Sequence, residues 1–355
     1  MPVTLAEVGG WAGVLGRLVA GRDIGADEAR AAVTEMLGGG ATPAQVAGFL
    51  VALRMKGETG EEMAGMAEAL LEVAEPLELP PGPDAVDTCG TGGSPTRRSW
   101  AFNVSTVAAF VVTGAGGRVC KHGNRAASST SGSADLLDAL GVAFDLGPAG
   151  VARCVAEVGM GFCFAPRFHP AMRHVGPVRR ELGVATVFNF LGPVANPARV
   201  RRQVVGVSDP TMAERVAGVL RARGSERALV VFGHDGLDEL TTSTTSTVLD
   251  LHDGVVRTSL VDPEELGLAL APPEAVAGGD AARNAAICEA VLGGERGPRR
   301  DIVLLNAAAG LVAAGVVDDL AAGLEAAGAA VDGGAAAAVV DRLVTVSREA
   351  AADQG

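Results

Sequence analysis

The chain has 355 residues, of which 48% are hydrophobic, and a formal net charge of −13. This length suits two domains or one large α/β domain with an appendage. The negative charge argues against non-specific binding to nucleic acid or to an anionic membrane, because both need a basic surface. The five cysteines are odd in number and lack Cys-x-x-Cys spacing, so neither structural zinc nor a disulfide framework is expected.

The N-terminal residues lack the basic region, the long apolar core and the cleavage site of a signal peptide. No apolar run reaches the length that a transmembrane helix needs. We therefore expect a cytoplasmic protein without a membrane partner.

Residues 1–76 are predicted to form an all-helical domain. Apolar residues recur at helical spacing over Leu5–Ala20. Capping boxes at Thr42–Gln45 and Thr59–Glu62 predict two more helix starts. A proline-rich connection, Leu79–Pro83, follows. A small helical domain with apolar faces is a candidate dimerisation element, so a homodimer is expected.

From residue 84 to residue 355, short apolar strands alternate with helical patterns, which predicts an α/β domain with a mainly parallel central sheet. Ligands then belong at the carboxyl ends of the strands. A single helix is predicted over His169–Leu182, and helical segments between about 169 and 200 are expected to join the small domain. The predicted strands are Ala85–Thr88, Arg118–Lys121, Gly161–Ala165, Gln203–Val207, Ala228–Phe232 and Thr247–Leu251.

A glycine cluster, Gly90–Gly93, follows the first predicted strand. A dinucleotide fingerprint would need a further glycine where the chain has Pro95, and the Gly-Lys-Ser/Thr of a Walker loop is absent. What remains is a loop that allows close backbone approach to an anion, followed by a helix start with Asn103 as its N-cap. The cluster alone is equally compatible with a tight turn.

Polar residues after the second predicted strand favour the anion-binding interpretation. Lys121, His122, Gly123 and Asn124 are poor choices for packing but suit a phosphate and a polar ligand. Serines 128, 129, 131 and 133 supply small donors near the next helix start. A solvated loop is the alternative.

Two further features are less specific by themselves. Asp238 and Glu239 follow the strand Ala228–Phe232, where adjacent carboxylates can hold Mg²⁺ beside a phosphate, or form a solvated turn. Arg179 can pair bidentately with a carboxylate, or lie on the surface.

Together these segments resemble the anthranilate phosphoribosyltransferase family. The matching motifs occur in the family's order and extend from the helical domain to beyond Leu305. They include Cys89–Gly93, Asn103–Thr106, Lys121–Arg125, Ser128–Ser133, His169–Met172, Phe188–Pro197 and Gly236–Leu240.

The resemblance implies transfer of a phosphoribosyl group from phosphoribosyl pyrophosphate to the amine of anthranilate, in tryptophan biosynthesis. It implies a small helical domain beside a larger α/β domain, and homodimers that pair through the helical domain. It places anthranilate at Gly90, Asn124 and Arg179, and Mg²⁺ at Ser105, Asp238 and Glu239. The residues implied for phosphoribosyl pyrophosphate are Gly90, Gly93, Ser94, Asn103, Ser105, Thr106, Lys121, His122, Gly123, Asn124, Arg125, Ser128, Ser129 and Ser133.

His122 is the nearest candidate to receive the proton of the reacting amine, although its first role is expected to be structural. Ser94 departs from the family, which usually has aspartate there, and extra residues including Arg97 and Arg98 precede Asn103. These differences change the local charge by about three units, which is large beside a polyanion. A pyrimidine nucleoside phosphorylase-like enzyme and a paralogue for another aromatic amine are the alternatives.

Overall fold

The computed structural model describes residues 3–92, 101–126 and 130–354. Its α-helices, in chain order, are α1 (Gly10–Val19), α2 (Ala26–Leu37), α3 (Pro43–Lys56), α4 (Gly60–Glu72), α5 (Val104–Gly114), α6 (Ser133–Ala139), α7 (Pro148–Val158), α8 (Ala165–Phe168), α9 (Gly176–Leu182), α10 (Phe188–Leu191), α11 (Pro210–Ala222), α12 (Ala281–Leu292), α13 (Pro298–Ala314), α14 (Leu320–Asp332) and α15 (Ala335–Ala352). Short 3₁₀ helices span Pro170–His174, Glu264–Leu266 and Pro273–Val276. Among these residues, no helix combines the length and the apolar character that crossing a bilayer requires.

One seven-stranded sheet forms the centre of the described structure, in the order β3-β2-β1-β4-β5-β6-β7. The strands from β3 to β5 pair in parallel, whereas β6 and β7 pair antiparallel. A small helical part beside a mainly parallel sheet confirms the predicted fold class. The strands are β1 (Val86–Gly90), β2 (Val119–Gly123), β3 (Met160–Phe164), β4 (Arg202–Gly206), β5 (Arg227–Gly233), β6 (Ser246–His252) and β7 (Val255–Val261).

Hydrophobic cores cover both faces of the parallel strands. Successive side chains of a strand point to opposite faces. In β4, Val204 therefore packs into the core that contains α5 and α13, and Val205 packs into the core that contains α3, α4 and α11. Burial on both faces is characteristic of parallel sheets and leaves the strand ends for ligands.

Both predicted capping boxes are confirmed. Thr42 accepts a hydrogen bond from the Gln45 N–H at the start of α3, at 3.3 Å. Thr59 accepts one from the Glu62 N–H at the start of α4, at 3.1 Å. In each box the side chain of the third helical residue bonds back to the threonine N–H, which satisfies two helix-terminal donors at once.

The connection after α4 is docked rather than free. The Glu75 N–H donates to the Phe168 carbonyl at 2.8 Å, and Leu77 is buried in the core of the α/β part. The core of α1–α4 also includes Val178 of α9 and Phe190 of α10. Because packing continues across residues 76–84, the division into domains 1–76 and 84–355 stays a prediction.

Three local predictions were wrong. The segment His169–Leu182 is broken into a 3₁₀ helix and α9, because Pro170 and Pro177 each begin a new helical turn. Strand β2 continues beyond the predicted end at Lys121, so His122 and Gly123 belong to the strand and not to the loop after it. Strand β7 was not among the predicted strands. Its residues are mostly exposed, so they give little apolar signal.

Candidate active site

Strand β1 ends at Gly90, which lies against Asp238. A Cβ atom on Gly90 would overlap the Asp238 carboxylate, and one on Gly206, at the end of β4, would overlap the Asp238 carbonyl. The loop that carries Asp238 therefore needs glycine at both strand ends. The Thr91 N–H also donates to the Gly206 carbonyl at 2.9 Å. Gly206 is a site residue that sequence reasoning missed, because no local signal marks it.

The Asp238–Glu239 pair contacts the two predicted anion-binding segments. The Asp238 Oδ2 atom accepts a hydrogen bond from the Gly92 N–H at 2.8 Å. The Glu239 Oε1 atom accepts one from the Ser105 N–H, in the first turn of α5, at 3.1 Å. The structure thus brings together the predicted metal ligands Ser105, Asp238 and Glu239.

Electrostatics at this pair favour a bound cation. Burial raises the pKa of Asp238. Burial, and then the charge of Asp238, raise the pKa of Glu239 to about 8. Two adjacent carboxylates in a poorly solvated place repel each other, and a cation between them relieves that repulsion.

Lys121 lies close to Ser105, Asp238 and Glu239. Its side chain is buried, and its Nζ donates to the Thr88 carbonyl and lies 3.4 Å from the Ser105 hydroxyl oxygen. Successive residues of β2 point to opposite faces, so Lys121 lies on the α5 side of the sheet and His122 on the other. The ammonium group lowers the pKa values of Asp87, Asp238 and Glu239, which burial raises. In this structure Lys121 is a buried counterion of the carboxylates.

Asp87 is fully buried in β1 and fixes the end of β2. Its carboxylate accepts hydrogen bonds from the His122 N–H at 3.1 Å and from the Asn196 amide at 2.9 Å. Asn196 also donates to the Cys120 carbonyl at 2.8 Å. Sequence reasoning missed Asp87 and Asn196, although a charged residue inside an apolar strand is a usable signal.

His122 is neutral and turned toward the segment 188–197. Its Nδ1 lies 3.0 Å from the Gly192 carbonyl, which can only accept, so Nδ1 carries the hydrogen. Burial, and then the neighbouring His169, lower the pKa of His122 to about 3. Its Nε2 is buried and has no hydrogen-bond partner among the described residues. The ring is therefore a weak base, and its free nitrogen is shielded from the cavity.

The loop after β2 packs against the start of α6. The Ser133 hydroxyl donates to the Asn124 carbonyl at 3.2 Å, and Gly123 leaves no room for a side chain beside Ser133. Arg125 forms ion pairs with Asp135 at 2.7 Å and Asp138 at 2.9 Å. The guanidinium of Arg125 is therefore paired with two carboxylates in this structure.

Asn103 precedes α5 as predicted, but its side chain does not cap the helix. The Asn103 Oδ1 atom accepts from the Asn284 amide at 2.9 Å, and its Nδ2 donates to the Ser131 carbonyl at 3.1 Å. The side chain thus joins α12 to the 124–133 loop, and Glu239 instead satisfies the first-turn N–H of Ser105. Thr106 lies in the same turn and is buried.

A cavity of about 670 Å³ opens beside these strand ends. It brings together five residues predicted from the sequence: Gly90, His122, Gly123, Asn124 and Arg179. Burial lowers the pKa of Arg179, and its guanidinium lies over the Phe188 ring, 5.4 Å from the ring centre. Gly93, Ser94, Ser128 and Ser129, with Arg97 and Arg98, lie outside the described residues.

Two family models match the chain. The helical bundle domain of a glycosyl transferase family matches residues 12–74, and the a/b domain of that family matches residues 82–337. An anthranilate phosphoribosyltransferase of Roseiflexus castenholzii is 52% identical over 333 residues, which cover 93% of this chain and 96% of the relative. This chain belongs to the anthranilate phosphoribosyltransferase family.

Solved structures of the anthranilate phosphoribosyltransferase family share the fold. The enzyme of Thermus thermophilus is 42% identical, with a TM-score of 0.88 over 94% of this chain and 99% of that chain. The enzyme of Saccharomyces cerevisiae, solved in complex with PRPP and Mg, is 28% identical, with a TM-score of 0.86 over 96% of this chain and 98% of that chain.

Proposed function

We propose that this enzyme transfers the phosphoribosyl group of phosphoribosyl pyrophosphate (PRPP) to the amine of anthranilate and releases pyrophosphate. One observation carries the proposal. The Asp238–Glu239 pair is held against the backbone of Gly92 and Ser105, directly beside a cavity that contains Arg179. An acidic pair suits a cation with a polyphosphate, and an arginine across the cavity suits the carboxylate of an acceptor.

The donor side is assigned to the ends of β1 and β2. Gly90, Ser105 and Thr106 surround the start of α5, where the positive end of the helix dipole favours negative charge. Asn124 and Ser133 shape the neighbouring loop that would hold the ribose 5-phosphate. Asn103 and Arg125 support this loop through their own hydrogen bonds and ion pairs. Gly93, Ser94, Ser128 and Ser129 are proposed here from the family resemblance alone.

The donor set at Asp238 and Glu239 fits Mg²⁺. In the described part of the chain, no group of three or more His, Cys, Asp or Glu residues could hold a metal. Mg²⁺ is commonly bound by one or two carboxylates, water and substrate phosphate oxygens, and needs no cage made of protein alone. Each carboxylate uses one oxygen for a backbone N–H and has a second oxygen that can coordinate. We assign Asp238, Glu239 and the Ser105 hydroxyl to this ion, which supplies positive charge to the leaving pyrophosphate.

The acceptor side is assigned to Gly90, Asn124 and Arg179. Arg179 binds the anthranilate carboxylate, and this contact directs the amine toward C1 of the ribose. The Nε2 of His122 is buried, so we assign His122 to holding the Gly192 carbonyl at the cavity wall through Nδ1. Because a ring with a pKa of about 3 is a weak base, His122 has a structural role and does not store the proton of the amine.

The chemical step needs placement and charge stabilisation more than a covalent intermediate. The bond from the amine nitrogen to C1 forms, the bond from C1 to the pyrophosphate oxygen breaks, and the amine then loses one proton to solvent. The positive end of the α5 dipole stabilises the charge of the leaving pyrophosphate, and a neutral amine is held at a fixed distance from C1.

A fluorescence assay of anthranilate consumption tests the proposal. We expect turnover only when PRPP and Mg²⁺ are both present, and near-complete loss of turnover in Asp238→Ala/Glu239→Ala. Phosphorolysis of a pyrimidine nucleoside, or turnover of another aromatic amine in place of anthranilate, would contradict it. The named relatives favour the anthranilate reaction over both alternatives.

Homodimer formation through α1–α4 and a cytoplasmic location also remain proposals. Val19 of α1 and Met55 of α3 are exposed apolar side chains of the kind that pairing would bury. Light scattering that reported a strict monomer would contradict the homodimer.

A further inference from the structure

Asn189 holds Arg179 in place at the cavity wall. Its Oδ1 accepts a hydrogen bond from the Arg179 Nη2 at 3.3 Å and a second one from the Thr186 N–H at 2.9 Å. Both partners are donors, so the amide must present its oxygen to Arg179. Asn189 and Arg179 both line the cavity.

The Arg179 guanidinium is held without being neutralised. It lies over the Phe188 ring, and within the described ranges no carboxylate comes within ion-pair distance of it. Arg125 and Arg167 differ, because each forms an ion pair with a carboxylate at 2.7 Å. Arg179 therefore keeps an uncompensated positive charge in a half-buried place, where an anion is attracted more strongly than in water.

We propose that Asn189 is a specificity-determining positioning residue for the acceptor. The uncharged amide oxygen of Asn189 orients the Arg179 guanidinium. Because it does not neutralise that group, the positive charge remains available to the carboxylate of the acceptor. This inference rests on the proposed function, since it deepens the role that Arg179 has there. Two properties of residue 189 are required: an oxygen that orients the Arg179 guanidinium, and the absence of a negative charge.

The substitution Asn189→Asp isolates the second of these properties. Aspartate has the same size and keeps an oxygen for both the Thr186 N–H and Arg179, so local folding is preserved. It also places a negative charge beside the guanidinium, where bidentate pairing would compete with the acceptor carboxylate.

The test compares anthranilate with 2-aminobenzamide, in which a neutral amide replaces the carboxylate. We expect Asn189→Asp to lower kcat/KM for anthranilate by about tenfold to a hundredfold, the range of a hydrogen bond to a charged group. For 2-aminobenzamide kcat/KM should change by less than about threefold, and the KM for PRPP should be unchanged. An equal fall for both acceptors, or an anthranilate preference within about twofold of wild type, would overturn the proposal.

A double-mutant cycle separates positioning from general damage. If Asn189 acts through Arg179, Asn189→Ala should lower kcat/KM for anthranilate in the wild-type background and change it by less than about twofold in Arg179→Gln. Equal losses in both backgrounds would show that Asn189 acts independently of Arg179 and would contradict the proposal.

Binding measurements distinguish this proposal from the proposed function. Wild-type protein that turned over neither acceptor would refute the proposed function. Calorimetric titration with anthranilate then still decides the role of Asn189. Weaker binding to Asn189→Asp than to wild type would support it, and equal binding would overturn it.

Discussion

The Glu239 carboxylate accepts a hydrogen bond from the Ser105 N–H at 3.1 Å, so a residue that follows β5 satisfies a donor in the first turn of α5. The residue that precedes this helix, Asn103, uses its side chain elsewhere. One carboxylate therefore has a structural contact and a proposed metal contact, and the two can be separated experimentally.

Glu239→Gln should separate the structural contact of Glu239 from its proposed metal contact. The glutamine amide keeps an oxygen for the Ser105 N–H, so the free energy of unfolding should stay within about 0.5 kcal/mol of wild type. Loss of the charge should lower turnover by about a hundredfold, with the deficit greatest at low Mg²⁺. Glu239→Ala should lose the same activity and also about 1 kcal/mol of stability, because the helix donor is left unsatisfied.

Rates measured across a Mg²⁺ titration, together with chemical unfolding, check this prediction. Asp253→Asn is the matched control, because it changes a carboxylate to an amide in the exposed turn between β6 and β7. Full activity of Glu239→Gln at every Mg²⁺ concentration would rule out the metal assignment.

Gly206→Ala should lower turnover by displacing the loop that carries Asp238 and Glu239. A Cβ atom at residue 206 would overlap the Asp238 carbonyl, so the loop that carries Asp238 and Glu239 must move. We expect a fall in turnover of about tenfold or more, because small displacements of binding groups are costly in catalysis.

Gly218→Ala is the control for this variant. Gly218 lies in α11 with nothing within 4 Å of an added Cβ, so alanine there should be neutral or stabilising by up to about 1 kcal/mol. Steady-state rates and thermal unfolding of both variants provide the comparison. Wild-type turnover in Gly206→Ala would contradict the close packing of Gly206 against Asp238.

Asp87 should make stability depend on pH. Burial raises the pKa of Asp87 from 3.8 to about 6 in the folded protein. Between those values the folded state binds more protons than the unfolded state, so the free energy of unfolding falls as pH rises from 3.8 to about 6. The contribution is on the order of 3 kcal/mol, and it is constant above that window.

Urea unfolding of wild type and Asp87→Asn across this pH range measures that contribution. The asparagine variant should be less stable at every pH, because an amide nitrogen faces a donor. Its stability should nevertheless lack the part of the pH slope that Asp87 causes. Parallel curves for the two proteins would show that Asp87 does not titrate in this window.

His122 should make no contribution to the pH dependence of turnover. Its pKa of about 3 keeps the ring neutral across the physiological range, so no limb near pH 6.5 should arise from it. His122→Ala should slow turnover by roughly tenfold, the value of one hydrogen bond, and not by the hundredfold or more of a general base. His252→Ala, at the exposed end of β6, is the control. A wild-type limb near pH 6.5 that His122→Ala removes would refute the neutral ring.

Much of the fold could be predicted because local patterns mark it. The threonine capping boxes of α3 and α4 and the alternation of strands with helices are short-range signals, and they were correct. Two errors had signals that were overlooked. Pro177 marks the start of α9, and Asp253-Gly254, both with positive φ, form the hairpin turn that leads into β7.

The motifs predicted which residues would gather at the strand ends, but they did not predict the contacts among those residues. Asn196 is 109 residues from its partner Asp87, and Ser105 is 134 residues from Glu239. Only the pairing of β1 with its neighbours brings such residues together, so no local pattern could reveal that Lys121 faces the carboxylates. The neutral state of His122 is likewise a consequence of burial that the sequence does not display.

Product analysis tests the central claim most directly. Purified enzyme is incubated with anthranilate, PRPP and Mg²⁺, and the phosphoribosylated amine and released pyrophosphate are both quantified over time. We predict equal amounts of the two products and none of either when one substrate is omitted. Pyrophosphate release without anthranilate consumption, or no reaction with anthranilate, would contradict the account.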